Sequence, residues 1–80
     1  MPRYTAPLRV PSDVGLALEQ ARLARGLSQN EVADLLDMPQ STVSTMETGA
    51  GTIYLRRLLA MARALGLELT ASWDDDAPVG

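Results

Sequence analysis

Cysteine and histidine are both absent from this chain of 80 residues, and their absence limits how the chain can fold. A domain of this size buries only about 60% of the surface that its unfolded chain exposes, so disulfides, metals or partner subunits often reinforce it. The absence of both residues excludes disulfides, the usual zinc sites, thiol nucleophiles and histidine acid–base pairs. The composition, 46% hydrophobic and 21% charged, is that of a globular domain. Apolar packing and oligomerisation are therefore the remaining ways to stabilise the fold.

The formal net charge is −3, but the acidic residues are unevenly placed. Asp74, Asp75 and Asp76 form a run near the C-terminus. Residues 1–73 carry seven positive and seven negative charges, and every positive charge is an arginine. The acidic balance therefore does not exclude a nucleic-acid partner.

Neither a membrane span nor a signal peptide is predicted. No apolar run approaches the roughly 20 residues that cross a bilayer, and the N-terminal segment lacks the apolar stretch of a secretory signal. We therefore expect a cytoplasmic protein without a membrane partner. Residues 74–80 are expected to form an acidic, flexible tail.

Apolar spacing and capping residues predict a mainly α-helical domain over residues 12–66. The four expected helices cover residues 13–25, 29–36, 40–48 and 53–65. Ser12 is the expected N-cap of the first helix, and Ser28 forms a capping box with Glu31 at the second. The apolar residues expected to be available to the core include Ala33, Leu35, Leu36, Val43, Met46, Leu55, Leu58, Leu59, Ala62 and Leu65.

Residues 67–73 alternate between apolar and polar, which predicts a β-strand. Prolines favour an extended arm over residues 1–11, so no second strand is expected within the chain. The expected partner is the same strand of a second copy, in an antiparallel ribbon across a twofold axis. An extended tail or a continuation of the last helix is the alternative. The predicted dimer interface consists of Leu67, Leu69, Ala71 and Trp73.

Residues 26–49, GLSQNEVADLLDMPQSTVSTMETG, carry the candidate functional site. Two short helices around a turn, with small polar residues outside the second, are the pattern of a DNA-reading helix-turn-helix. Ala33 is small enough for a close helix crossing, which Val43 and Met46 are expected to hold from inside. Glutamine and hydroxyl side chains can read base edges. The expected base contacts are Gln40, Ser41, Ser44 and Thr45.

These base-reading side chains carry no charge, so phosphate contacts must come from elsewhere. Helix N-termini and loop amides bind anions without lysine, and two arginines follow the loop after the third helix. For the arginines, a solvated helix face is an equally good interpretation. The expected phosphate contacts are Gln29, Thr42, Gly51, Arg56 and Arg57.

This segment resembles the lambda-repressor-like (XRE) helix-turn-helix family. The resemblance rests on residues 26–29, 31–33, 41–44 and 46–49, and with the flanking helices it covers residues 12–66. It implies a lambda-repressor-like bundle of four to five short helices, in a repressor that binds a palindromic operator as a dimer. It also implies a structural, partly buried ion pair between Arg22 and Glu47.

The ends of the chain are similar to those of HipB-type antitoxins. Three features carry this second resemblance. They are a first helix that begins with Pro-Ser, a last helix that ends with Ala-Leu-Gly-Leu-Glu-Leu, and a strand that is followed by acidic residues. It implies a dimer that binds both operator DNA and a HipA-like serine/threonine kinase toxin. No enzyme activity, cofactor, metal or small-molecule substrate is expected of the chain itself, because its carboxylates do not converge.

Several positions depart from the family pattern. Asp37 replaces the glycine usual at the turn, and aspartate tolerates a left-handed conformation. Pro39 stands where a capping residue or a lysine is common, and Thr48 and Ala50 replace basic residues, which weakens the expected hold on phosphates.

Two leucines, Leu16 and Leu23, point away from the predicted core stripe of the first helix. Two singly exposed leucines are one interpretation, and a toxin-facing or dimer surface is the other. The second interpretation keeps open a protein-binding antitoxin module with weak or no DNA binding. A small transcription regulator without a toxin partner is a further alternative.

Overall fold

The computed structural model describes residues 3–74. In chain order, these residues form β1 (Arg3–Pro7), α1 (Pro11–Ala24), α2 (Gln29–Leu36), α3 (Gln40–Glu47), α4 (Ile53–Ala64) and β2 (Thr70–Asp74). The predicted fold class, mainly helical with a C-terminal strand, is confirmed, and each helix agrees with its predicted bounds to within two residues. No helix in this range is long and apolar enough to cross a membrane. The predicted tail lies outside the described residues except for Asp74.

The two strands form one antiparallel sheet, in which Tyr4 lies opposite Trp73 and Ala6 lies opposite Ala71. The prediction that the C-terminal strand has no partner within the chain is therefore wrong. Prolines exclude a helix from the arm, but an edge strand tolerates them because one side of it needs no amide donors. Pairing of β2 with a second copy through its other edge stays a proposal.

The four side chains predicted for the dimer interface do not share one surface. Ala71 and Trp73 lie on the half-buried face of the sheet, which packs against α1. The Trp73 ring stacks on the Tyr4 ring, with centroids 5.9 Å apart and planes inclined by 28°. Leu67 and Leu69 precede the strand, because the Leu67 amide still closes the C-terminal turn of α4.

Helix α1 begins one residue earlier than its predicted cap. Pro11 occupies the first helical position, where its missing N–H costs nothing, and Val10 is the N-cap. The Asp13 carboxylate accepts hydrogen bonds from the Arg9 and Val10 amides, at 2.8 and 3.2 Å. Capping by Ser12 was therefore a wrong prediction: the N-cap is Val10, whose carbonyl accepts from the Asp13 amide, and the Asp13 carboxylate binds the two amides that precede the helix.

Small residues dominate the core. The buried apolar residues are Ala17, Ala33, Val43, Leu59 and Ala62. Other residues predicted to face the core are instead exposed, namely Leu35, Leu36, Met46, Leu58 and Leu65. For Leu58 and Leu65, the physical reason is that α4 turns only one side, with Leu59 and Ala62, toward the interior. Large apolar surface therefore remains uncovered within the chain.

Two glycines allow α1 to cross the end of α3. A Cβ on Gly15 would lie 2.7 Å from the Glu47 carbonyl oxygen and would overlap the Gly49 backbone. Gly49 has a φ of +78°, and a Cβ there would overlap the Ser12 backbone. Since any larger residue forces these backbones apart, the two glycines fix how α3 sits against α1.

Candidate nucleic-acid interface

An ion pair between α1 and the end of α3 holds the two helices together. The Arg22 guanidinium donates from Nε and Nη2 to the Glu47 carboxylate, at 2.6 and 2.9 Å. Its Nη1 donates to the Leu27 carbonyl at 2.8 Å, in the loop before α2. The side chains are only 12% and 5% exposed. The ion pair implied by the family resemblance is present, and together with the Leu27 contact it joins α1, the loop before α2, and α3.

Both members of this pair stay charged. The hydrogen bond from Arg22 holds the pKa of Glu47 below its ordinary value, although burial opposes this, and a hydrogen bond from Gln29 adds to it. The same contact with Glu47 raises the pKa of Arg22. Each charge therefore stabilises the other in a place from which water is largely excluded.

Two glutamines extend this contact to the surface. Gln29 Nε2 donates to Glu47 Oε1 at 3.0 Å, and Gln40 Nε2 donates to Gln29 Oε1. Gln40 keeps its own carbonyl oxygen and a second N–H, which are the acceptor and donor needed to bind an adenine edge. The predicted phosphate contact Gln29 thus lies between the buried ion pair and the predicted base contact Gln40.

The outer face of α3 is polar and uncharged. Gln40, Ser41 and Thr45 are exposed, and Ser44 is half-buried. The Thr45 hydroxyl donates to the Ser41 carbonyl at 2.9 Å, so its oxygen is left to accept from a base. Exposed Thr42 lies three residues before Thr45, so it borders this face on its Thr45 side. The structure therefore brings the four predicted base contacts together and places Thr42 at their edge.

The start of α2 is capped as predicted. The Ser28 hydroxyl accepts from the Glu31 amide at 3.0 Å, and the Glu31 carboxylate accepts from the Ser28 amide at 2.9 Å. In this first turn, the Gln29 and Asn30 amides have no acceptor within the helix. Such amides, at the positive end of the helix dipole, suit a phosphate oxygen.

The turn between α2 and α3 keeps its shape despite the family departures. Asp37 adopts the left-handed conformation, with φ at 54°, as its residue type allows. Pro39 is the N-cap of α3 and forms no side-chain capping bond, so the expected loss of a cap is confirmed. The first amides of α3 remain available beside Gln40.

Two arginines lie near the start of α4, just past the α3–α4 loop. Arg56 and Arg57 are exposed, and neither forms an ion pair within residues 3–74. A Cβ on Gly51 would lie 3.3 Å from Arg56 Cγ, so the loop and this arginine are neighbours. Arg57 lies about 100° further around the helix.

Sequence reasoning missed two parts of this site. The close approach of Gly15 to Gly49 was not foreseen, although a glycine inside an apolar helix is a signal for it. The contact of Gln29 with Glu47 was also missed, since an 18-residue separation gives no local pattern.

Two short helices around a left-handed turn, with an uncharged polar face on the second, define a DNA-binding helix-turn-helix domain. A family model described as helix-turn-helix matches residues 18–71. The chain belongs to the lambda-repressor-like, XRE-type helix-turn-helix family and is a DNA-binding transcription regulator. No curated protein and no solved structure gave a significant match. The HipB-type similarity stays a proposal.

Proposed function

We propose that this chain is a repressor that binds a palindromic operator as a dimer and reads it with α3. One observation carries the proposal: hydrogen bonds link Gln40 through Gln29 to the buried Arg22–Glu47 pair. A base-reading side chain held in this way loses little freedom on binding, which favours specific recognition. Base contacts are assigned to Gln40, Ser41, Ser44 and Thr45.

Phosphate contacts are assigned to the edges of the α3 face. The α2 N-terminus with Gln29 lies at one edge, and Gly51 with Arg56 and Arg57 lies beyond the end of α3. Thr42 completes the assigned set at the edge of the α3 face. The family departures at Thr48 and Ala50 leave the two arginines as the cations nearest the loop.

The free edge of β2 supports a dimer ribbon. β1 already pairs with one edge of β2, and within residues 3–74 the other edge has no strand partner. β2 contains no proline, so it keeps every amide needed for a ladder, whereas β1 contains Pro7. In the proposed dimer, β2 pairs antiparallel with β2 of the second copy. Operator binding then requires the two α3 helices to lie about 34 Å apart, in successive major grooves.

We expect a shallow dependence of operator affinity on salt. Two arginines per chain, four per dimer, give a slope of log K against log [salt] of about −4, since each neutralised phosphate contributes about −0.9. Titrations between 50 and 200 mM salt, by fluorescence anisotropy, measure this slope. Arg56→Gln is expected to reduce its magnitude by about 2 per dimer.

Arg3→Gln is the matched control for this titration. It removes the same charge from β1, where Arg3 pairs with Asp74 at 3.1 Å, and is expected to leave the slope unchanged. A wild-type slope of −7 or steeper, which corresponds to about eight neutralised phosphates, would contradict the assigned contacts.

Within this function, we propose a HipB-like antitoxin that also neutralises a HipA-like serine/threonine kinase. The apolar surface of α1 supports a protein partner. Leu16 and Leu23 are more than half exposed, and Leu23 lines a cleft with Tyr4 and Trp73. This surface is formed by α1 and the sheet, apart from the α3 face, so one chain can hold DNA and a kinase together.

A co-purification experiment tests the antitoxin proposal. Expressed with a serine/threonine kinase encoded beside its gene, the tagged chain is expected to retain the kinase and suppress its phosphorylation activity. Leu16→Glu with Leu23→Glu is expected to release the kinase without loss of operator binding. Failure of the wild-type chain to bind such a kinase would leave a transcription regulator without a toxin partner.

The second candidate function is a protein-binding antitoxin module with weak or no DNA binding. The absence of cations from α3, together with Pro39 in place of a cap, favours it. It predicts that the kinase complex forms while no DNA sequence is preferred. The DNA selection described at the end of the Discussion separates the two candidates.

A further inference from the structure

A cavity of about 460 Å³ lies between α4 and the two chain segments that join the helices to the sheet. Residues 7–9 form one wall, residues 66–70 form a second, and one side of α4 forms the third. Its volume is within the range of about 300–1,000 Å³ that is usual for small-molecule sites. Within the described chain, its lining includes none of the assigned base or phosphate contacts, so the cavity is separate from the proposed DNA interface.

The floor of the cavity is apolar. It is formed by Leu59 and Ala62, the two buried residues of α4. Leu8 and Leu69 flank this floor, and the Leu8 amide donates to the Leu69 carbonyl at 2.8 Å, which holds the two segments together. Leu67 also lines the cavity and is 58% exposed. A hydrocarbon group bound here removes this apolar surface from water, which favours its binding.

Two arginines and one glutamate supply the charges of the cavity. Arg63 Nη1 donates to the Arg9 carbonyl at 3.3 Å, so its guanidinium reaches from α4 to the wall formed by residues 7–9. Arg9 Nε lies 3.8 Å from the Asp13 carboxylate. Within the described residues, Arg63 forms no ion pair, and the exposed Glu68 pairs with neither arginine. Arg63 is therefore the cation that this cavity offers to a ligand.

A ligand with a single negative charge suits this arrangement. An arginine has five N–H donors, and the bond to the Arg9 carbonyl uses one of those of Arg63. The guanidinium can therefore still bind a carboxylate through two parallel hydrogen bonds. A phosphate monoester carries a charge of about −1.5 to −2, more than one arginine neutralises, and Glu68 repels the excess. The charges thus favour a carboxylate, and the leucines favour a hydrocarbon chain.

We propose that this cavity binds a small amphipathic carboxylate of the fatty-acid class, with its carboxylate on Arg63 and its hydrocarbon chain against Leu59 and Leu67. The site goes beyond the proposed function, because operator reading by α3 requires no small molecule. Such a ligand contacts α4 and both segments that lead to the sheet, so it stabilises the folded arrangement of these three parts. It is therefore expected to raise the Tm of the domain at concentrations above its Kd.

Octanoate is the probe for this site, and isothermal titration calorimetry on the full chain measures its binding. One octanoate per chain is expected to bind, with a Kd below about 1 mM. Two matched ligands test the parts of the site separately. Octanamide keeps the hydrocarbon chain without the charge, and acetate keeps the charge without the hydrocarbon chain. Each is expected to bind at least about tenfold more weakly, since each loses one of the two contacts.

Arg63→Gln removes the unpaired cation and is expected to raise the Kd for octanoate at least about tenfold. Arg3→Gln makes the same change in the exposed pair with Asp74, and this matched control is expected to leave the Kd unchanged. Circular dichroism on both variants checks the fold. The comparison of ligands on the wild-type chain requires neither variant.

No saturable binding of octanoate, or equal affinity for octanoate and either matched ligand, would overturn the proposal. Equal affinity of the Arg63→Gln and Arg3→Gln variants for octanoate would do the same. Tighter binding of octyl phosphate than of octanoate would contradict the choice of a carboxylate. Because these titrations contain no DNA, their outcome leaves the proposed function to its own test.

Discussion

Glu47→Ala is expected to destabilise the domain by about 3–5 kcal/mol, because it leaves the Arg22 guanidinium largely buried without a counter-charge. The variant also removes the acceptor of the Gln29 amide at 3.0 Å, so it loosens the start of α2 as well. Urea unfolding followed by circular dichroism measures the change. For a domain of this size, each kcal/mol lowers Tm by about 4–8 °C.

An exposed ion pair provides the control for this variant. Arg3 and Asp74 are 3.1 Å apart, but their side chains are 62% and 43% exposed, so Arg3→Ala is expected to cost about 1 kcal/mol or less. Arg22→Met with Glu47→Leu is expected to regain part of the lost stability, since it leaves no charge buried. A cost for Glu47→Ala as small as that for Arg3→Ala would contradict a structural role for the buried pair.

The same pair makes stability depend on pH. The pKa of Glu47 is lower in the folded chain than in the unfolded chain, because Arg22 donates hydrogen bonds to its carboxylate. The unfolded state therefore binds more protons in acid, and the stabilisation present above the ordinary glutamate pKa is lost as pH falls through the folded value. Glu47→Gln is expected to make the free energy of unfolding depend less on pH in this acidic range. The pKa of Asp13 is also lowered, by the hydrogen bond from the Arg9 amide, so its contribution to the pH dependence remains in this variant.

Local signals explain why the helices could be predicted from the sequence. The Ser28–Glu31 capping box and the left-handed residue Asp37 each act within a few residues, so their effects are visible in the sequence. The strand pairing joins residues about 70 apart, and prolines in the arm concealed the strand-forming segment. Long-range pairing of a short, irregular strand leaves no local pattern.

Periodicity also could not decide which side of α4 faces the core. Leucines occupy both the buried side, at Leu59, and the exposed side, at Leu58 and Leu65, so the spacing fits either orientation. In the site, helical spacing placed Val43 inside correctly but Met46 incorrectly. The family resemblance supplied the Arg22–Glu47 pair, which composition and spacing do not specify.

Gln40→Ala with Thr45→Ala is expected to abolish the preference for the operator while the chain remains folded. Gln40 offers a donor and an acceptor to a base edge, and Thr45 offers a methyl group and an acceptor. Each good base contact contributes about 1–3 kcal/mol of discrimination, and a dimer uses both residues twice. The expected loss of specificity is therefore at least about a hundredfold, measured as the ratio of operator to random-sequence affinity.

Gln20→Ala with Thr5→Ala is the matched control, since it removes the same two residue types from α1 and β1. It is expected to retain both the fold and the ratio of operator to random-sequence affinity. Circular dichroism and sedimentation on both double variants show whether any lost binding reflects unfolding or dissociation. Retention of full sequence preference by the Gln40 and Thr45 variant would overturn the assignment of α3 as the reading surface.

Selection from a pool of random DNA duplexes tests the central claim most directly. The wild-type chain is expected to enrich one palindromic sequence whose half-sites are centred about one helical turn, roughly 10 base pairs, apart. The Gln40 and Thr45 double variant is expected to enrich no sequence from the same pool. Enrichment of no palindrome by the wild-type chain, or of the same palindrome by the double variant, would contradict sequence-specific reading by α3 of a dimer.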